Sequence, residues 1–423
     1  MAKLHLPYGK DEICVTVPDG QLNGVLEPAP VSLDCISEET LVQRALENPI
    51  DSPRLCELVR GKQQIVIISS DHTRPLPSRI TMPLLLQEIR LGNPKADITI
   101  LVATGMHRPT TEAELRAKYG DRIVDEEKIA VHRATDEDNM MFFGILPSGG
   151  ELWLNGLIAQ ADLVVAEGLI EPHFFAGFSG GRKSILPGVA SYKTILYNHN
   201  ARFIASRNAK QGNLKDNPIH MDMLFAAQQA RLSFLLNVLI DKRKKVIAAV
   251  AGHCEKAHRQ GCMLCKKLAS VQAVVSDIVI TSNGGYPLDQ NVYQSVKGMA
   301  TAESCVRSGG AIIICAALGD GHGGEAFYRW FSERPDAAAV MNSIMAIPPE
   351  NTLMDQWEAQ ILARVQMKAC CWFVTGKENR ELIESMHMHW SPDADSALHE
   401  AINACGKNAT VTVIPDGVGV IVE

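Results

Sequence analysis

The chain has 423 residues and a formal net charge of −7, enough length for roughly two or three domains at about 100–200 residues each. No block of Lys or Arg is long enough to track a phosphate backbone, which argues against nucleic acid as a partner. No apolar run approaches the roughly 20 residues that span a bilayer, and Met1-Ala-Lys-Leu-His-Leu-Pro7 lacks the apolar stretch of a signal peptide. The expectation is a soluble, cytoplasmic protein without a membrane partner.

Short β-branched runs alternate with helix-length segments along the chain. The predicted strands are 64–69, 97–103, 162–166, 245–251, 277–281, 311–316, 369–374 and 410–415. This alternation signals parallel sheets covered by helices. The basic run Asp241-Lys-Arg-Lys-Lys245 reads as a solvated turn before a strand. A break is expected near residues 266–275, where a Cys- and Lys-rich stretch gives way to fresh strand–helix alternation. The fold class is therefore α/β: two α/β domains with mostly parallel sheets facing across an active-site cleft. The N-terminal, cofactor-binding domain would take residues 1–267 and the C-terminal domain 268–407, with 408–423 free to return to the first. Eleven cysteines, with no export signal, read as reduced thiols.

In open α/β sheets ligands bind beyond the carboxyl ends of strands, and there the polar residues cluster. Ser70-Asp-His-Thr-Arg-Pro75 follows the first strand, Thr104-Gly-Met-His-Arg-Pro109 the second and Glu171-Pro-His-Phe-Phe-Ala-Gly-Phe-Ser-Gly-Gly-Arg-Lys-Ser184 the third. Further on lie His199, the loop 282–289, and Tyr293, Gln294 and Lys297 at a helix start. Arg74 and Lys297 suit a carboxylate, the one as a two-pronged donor and the other as a point charge. His107 and His173 can exchange protons near neutral pH, and His199 is a borderline-soft metal ligand.

Other readings compete. Gly177 to Ser184 falls one residue short of a Walker A loop, because Arg182 stands where that pattern needs glycine. Its small residues would still let a backbone approach an anion. His253, Cys254, His258, Cys262 and Cys265 resemble zinc spacing but offer a single Cys pair, and Cys262 and Cys265 also fit as packed thiols. Cys370 and Cys371 read as core. His132, His220, His322, His387 and His389 show no convergent partner in the sequence. Lys183 could form a Schiff base with pyridoxal phosphate, but that leaves the paired histidines and His199 unexplained. A non-catalytic metal- or nucleotide-binding protein needs fewer assumptions, yet explains neither the two histidines nor the cations.

These strings, with Asn198-His199-Asn200 and Asp355-Gln-Trp357, resemble in order along nearly the whole chain the nickel-dependent lactate racemase family. The resemblance implies an isomerase: a racemase or epimerase of 2-hydroxy acids, lactate by default. The same chemistry would serve malate, a longer hydroxy acid or an aldonic acid. It implies nickel and a nickel-pincer nucleotide, pyridinium-3,5-bisthiocarboxylic acid mononucleotide, joined to Lys183 through a thioamide. By matching position, His199 completes the nickel coordination, His107 and His173 are the acid/base pair, and Arg74, Tyr293, Gln294 and Lys297 hold the substrate. Asp71 and Trp357 fall in cofactor-site motifs. Cofactor-synthesis and nickel-insertion enzymes are implied partners. The segment from His253 to Cys265 is not part of the pattern.

The chemistry also stands on its own terms. A carbanion beside a carboxylate is unfavourable, so a 2-hydroxy acid is better inverted by moving a hydride. A base takes the hydroxyl proton as hydride leaves Cα, giving a planar 2-keto acid open to return on either face. Two enantiomers held by one carboxylate clamp place their hydroxyls differently, so two imidazoles are the natural minimum.

Overall fold

The computed structural model describes residues 1–28 and 36–423; Cys35 lies outside them. Two bodies emerge, each with a six-stranded sheet. One comprises residues 36–198 and 206–267. Its sheet runs in the order Val246–Gly252, Leu232–Ile240, Leu163–Leu169, Gln64–Ser70, Asp97–Ala103, Lys128–Val131. All neighbours are parallel except the first pair. Strands covered on both faces must be apolar throughout, and Leu163–Leu169 is buried at every position. Ile65, Ile67, Ile100, Val102, Val165, Phe234 and Leu236 form one core beneath the helices.

The other body contains 1–28, 199–205 and 268–423. Its all-parallel sheet runs His389–Ser391, Ala369–Val374, Val306–Cys315, Ser276–Ser282, Val411–Ile414, Leu22–Val25. Ile278, Ile280, Ile313, Val411 and Val413 face Ala394, Ala397, Leu398 and Ala401 of the helix Ala394–Cys405 and Leu6, Val15 and Val17 of an N-terminal hairpin.

Two sequence expectations need correction. The segments 1–28 and 199–205, assigned above to the N-terminal domain, group with the C-terminal body, the first because Leu22–Val25 pairs with Val411–Ile414. Cys370 is exposed, whereas Cys371 is buried as expected. The terminal strand also joins the second sheet. The unpredicted strand Leu232–Ile240 sits second in the first sheet; a continuous apolar run cannot be told from a buried helix by periodicity. The ten described cysteines are free thiols, and Asp241 turns the chain by accepting from the Arg243 and Lys245 N–H groups.

Three neighbouring strands of the first sheet, Leu163–Leu169, Gln64–Ser70 and Asp97–Ala103, therefore end side by side. The connections leave Gln64–Ser70 in one direction and Leu163–Leu169 lies on its other flank, which makes their junction the switch point where α/β sheets place ligands. A buried carboxylate ties this edge together. Glu167 accepts from Ser69 Oγ at 2.5 Å, Ser78 Oγ at 2.7 Å and the Thr81 hydroxyl. Hydrogen bonds to a charged group contribute about 1.5–3 kcal/mol net. Glu167→Gln is expected to lower stability by roughly that amount, read as a urea midpoint; an unchanged midpoint would contradict this role for Glu167.

Candidate active site

In the first body, Asp71 follows strand Gln64–Ser70 directly and is 2% exposed. Its Oδ1 accepts from the Thr73 N–H (3.1 Å) and hydroxyl (2.6 Å), an Asx-type turn. Its Oδ2 lies 2.7 Å from His107 Nδ1. Burial raises the Asp71 carboxyl, but the hydrogen bonds of His107 and Thr73, with the charges of His107 and Arg74, outweigh it and hold it at about 2. The ionised carboxylate fixes hydrogen on Nδ1 and leaves the Nε2 lone pair of the exposed His107 ring outward. Gly105, at φ +54°, makes the turn into His107, and its N–H donates to Gly188 O at 3.0 Å. The Gly188 N–H in turn donates to Lys183 O at 3.1 Å.

His173 and Lys183 meet in the third loop, where Lys183 Nζ lies 3.2 Å from His173 Nε2. His173 ends the short strand Pro172–His173 of a hairpin, paired with Gly177, and its Nδ1 accepts from the Ala176 N–H at 3.3 Å. Beneath this hairpin Arg182 is 2% exposed. Its guanidinium donates to Ala176 O (2.6 Å), Phe178 O (2.7 Å), Gly180 O (3.3 Å) and His220 Nδ1 (3.0 Å). Burial pulls Arg182 down to about 10, which leaves it cationic at neutral pH. Burial, then the Arg182 and Arg259 charges, hold His220 at about 3, so it remains a neutral acceptor. His258 Nε2 donates to Ser179 O at 2.9 Å; burial first and Arg182 second hold it far below the usual imidazole range.

This layer accounts for features the sequence left open. Arg182 breaks the Walker pattern because it is a structural cation under the loop. Gly181 sits at φ +53°, and a Cβ there would come within 2.5 Å of the His258 ring. Asn237 Oδ1 accepts the Gly181 N–H at 2.9 Å. His220, for which the sequence showed no partner, accepts from Arg182 Nε. In the Cys/His segment, His253 Nδ1 accepts from the Glu255 and Lys256 N–H groups at the start of the helix Lys256–Ala269, while Cys262 packs 3.4 Å from His258 Nε2. Among the described residues no group of three or more His, Cys, Asp or Glu side chains is placed to hold a metal ion. No helix among them is long and apolar enough to cross a membrane.

The second body carries the remaining candidates. Tyr293, Gln294 and Lys297 open the helix Val292–Glu303, capped by Asn291; spacings of three and four put Gln294 and Tyr293 on the Lys297 face. Lys297 Nζ donates to Gln294 Oε1 at 2.6 Å. Trp357 Nε1 donates to the Tyr293 hydroxyl at 3.2 Å, and the Trp357 ring lies edge-on to His199, 5.1 Å between centroids. His199 is 5% exposed. Burial, then the charges of Glu358 and Asp355, raise the Tyr293 phenol far above its usual range, so it stays a neutral hydroxyl. Glu358 is 1% exposed; burial pushes its carboxyl up while the Lys297 charge opposes. The sequence singled out neither Glu358 nor Asn237, each one polar residue in a buried helix or strand, and showed Arg182 only as a break in the Walker pattern.

Residues 8–212 match the lactate racemase N-terminal domain and 271–422 the lactate racemase C-terminal domain. The chain belongs to the lactate racemase family. It is 53% identical to the lactate racemase of Thermoanaerobacterium thermosaccharolyticum and 49% identical to that of Lactiplantibacillus plantarum, with all of each chain covered in both cases. Its structure superposes on the solved lactate racemase apoprotein of T. thermosaccharolyticum with a TM-score of 0.98 at 52% identity over the whole of both chains. A Thermotoga maritima protein, 16% identical with a TM-score of 0.67 over 94% of this chain, shares the fold. The expected α/β class and family are both borne out.

The Asp71 and His107 pair sets a pH dependence. Because the folded-state value is depressed, the pair stabilises the protein above the ordinary carboxylate range, and this is lost as pH falls from about 4 toward about 2. Asp71→Asn should cost roughly 2 kcal/mol at pH 7. In urea unfolding the gap between variant and wild type should close toward pH 2–3; a gap independent of pH would contradict the assignment.

Proposed function

We propose that this chain is a lactate racemase, an isomerase that interconverts the enantiomers of lactate through a 2-keto acid. The observation that carries the proposal is the full-length identity of 53% to a named lactate racemase, in a chain whose acid/base and lysine candidates follow the two strands that flank Gln64–Ser70 in one sheet.

The residues fit a lysine-tethered nickel-pincer nucleotide. Lys183 offers a primary amine in a loop opened by glycines at positive φ, Gly180 at +72° and Gly181 at +53°. His199 offers a buried imidazole, borderline in softness and suited to nickel alongside sulfur. When bound, that group supplies the hydride acceptor, and supply of it would fall to the cofactor-synthesis and nickel-insertion enzymes.

The protein's own residues handle the rest. His107, its Nδ1–H held by Asp71, takes the substrate hydroxyl proton at Nε2. Asp71 stabilises the imidazolium that results, as a buried carboxylate does for a catalytic histidine. His173 serves the opposite hand. Arg74 and Lys297 hold the carboxylate and Tyr293, as a neutral phenol, together with Gln294 holds oxygen by hydrogen bonds. Trp357 fixes the Tyr293 hydroxyl and flanks His199.

The test is chiral chromatography of L-lactate and, separately, D-lactate, with protein produced alongside the cofactor-synthesis enzymes. Each enantiomer should convert to the racemate. Inversion of larger 2-hydroxy acids with lactate untouched would overturn the substrate. His107→Ala should slow turnover by about 100-fold or more, the scale of losing a general acid/base; an unchanged rate would remove His107 from the mechanism.

A further inference from the structure

The two candidate acid/base histidines, His107 and His173, present opposite ring nitrogens to their partners. His107 Nδ1 faces a carboxylate and must carry hydrogen. His173 Nδ1 faces the Ala176 N–H and must accept. A neutral imidazole has one hydrogen, so His173 carries it on Nε2, 3.2 Å from Lys183 Nζ. A donor there requires a lone pair on the lysine nitrogen, which an ammonium lacks.

The geometry points to Lys183 being held as the neutral, nucleophilic amine by the Nε2–H of His173, with the Ala176 N–H selecting that tautomer, so that the chain is preset for its own covalent modification. This rests on the proposed attachment of the pincer nucleotide at Lys183. In that step the Lys183 nitrogen forms a C–N bond to the thiocarboxylate carbon while its C–O bond breaks. Oxygen leaves as hydroxide with one amine hydrogen, sulfur stays, and nothing is oxidised or reduced. The product nitrogen is a thioamide N–H with its lone pair delocalised, so it no longer accepts from His173. Attachment itself thus frees the His173 ring to meet substrate.

The surroundings divide in their effect. The buried Arg182 cation adjoins Lys183 in sequence and opposes a second positive charge. Glu167 and Asp222 lie on elements packed against the Lys183 turn and favour an ammonium, but Glu167 is occupied by three hydroxyls and Asp222 by Ser148 and Asn198. His220, on the same helix as Asp222, is neutral. The Phe175 ring, 5.7 Å from Nζ, also favours the ammonium.

The experiment is competitive trace labelling of the full-length chain, purified without the cofactor-synthesis enzymes, with acetic anhydride between pH 6 and 10. Peptide mapping compares Lys183 with the exposed Lys193 and Lys210 as internal standards. Exposed lysines have a reference pKa near 10.4, and each unit below that gives about tenfold more free amine at neutral pH. Lys183 should react at least about tenfold faster than the standards at pH 7.5. His173→Phe, which removes the donor, should abolish that advantage, and His173→Gln, which keeps an N–H, should restore part of it. Unchanged labelling of Lys193 and Lys210, with an unchanged melting temperature, shows that the variants are folded. Labelling of Lys183 at the rate of the standards, or an advantage that survives His173→Phe, overturns the inference. An advantage without any adduct after co-production with the synthesis enzymes would instead sink the cofactor reading and leave the amine assignment standing.

Discussion

A buried guanidinium underlies the site. Arg182 is taken out of water without a carboxylate among its hydrogen-bond partners, at a cost that only complete satisfaction of its N–H groups can offset. Three of its acceptors are carbonyls of its own loop, so the need to satisfy the cation and the shape of the loop are one condition. That loop brings His173 within reach of Lys183. The flanking requirements follow from it: a neutral His220 as acceptor, a His258 that holds Ser179 O, and a glycine at 181 where any side chain would strike the His258 ring.

The two candidate acid/base histidines are controlled by different means. Asp71, an ionised carboxylate buried against the sheet edge, orients His107 by holding hydrogen on its Nδ1. A backbone N–H orients His173 and disfavours a hydrogen on its Nδ1. Their loops are nonetheless joined through the backbone, since Gly188 accepts from Gly105 and donates to Lys183 O. A Cβ at position 188 would fall 2.2 Å from Ser184 O, so the junction admits glycine alone without rearrangement. Parallel pairing of the three strands makes this possible, by ending them at one edge.

Much of this was legible in the sequence because chemistry-bearing residues follow β-branched runs. Asp71, His107 and the Glu171–Ser184 loop could be placed at strand ends from alternation alone. The resemblance implied roles that spacing could not, such as substrate holding by Tyr293 and Gln294. What escaped was set by tertiary packing. Leu232–Ile240 has no period to distinguish strand from buried helix. The strand Leu22–Val25 joins the second sheet through a pairing some 390 residues distant along the chain, beyond any local signal. Arg182, His220 and His258 lie on three separate elements, and only folding reveals that one answers the other's unsatisfied groups.

The central claim is that Lys183 is a reactive anchor in a racemase site. The most direct test is the intact mass of protein produced with the cofactor-synthesis enzymes, followed by peptide mapping across residues 171–184. The account predicts a sulfur-rich, nickel-bearing nucleotide adduct on Lys183. An unmodified Lys183 in protein produced with those enzymes would contradict it.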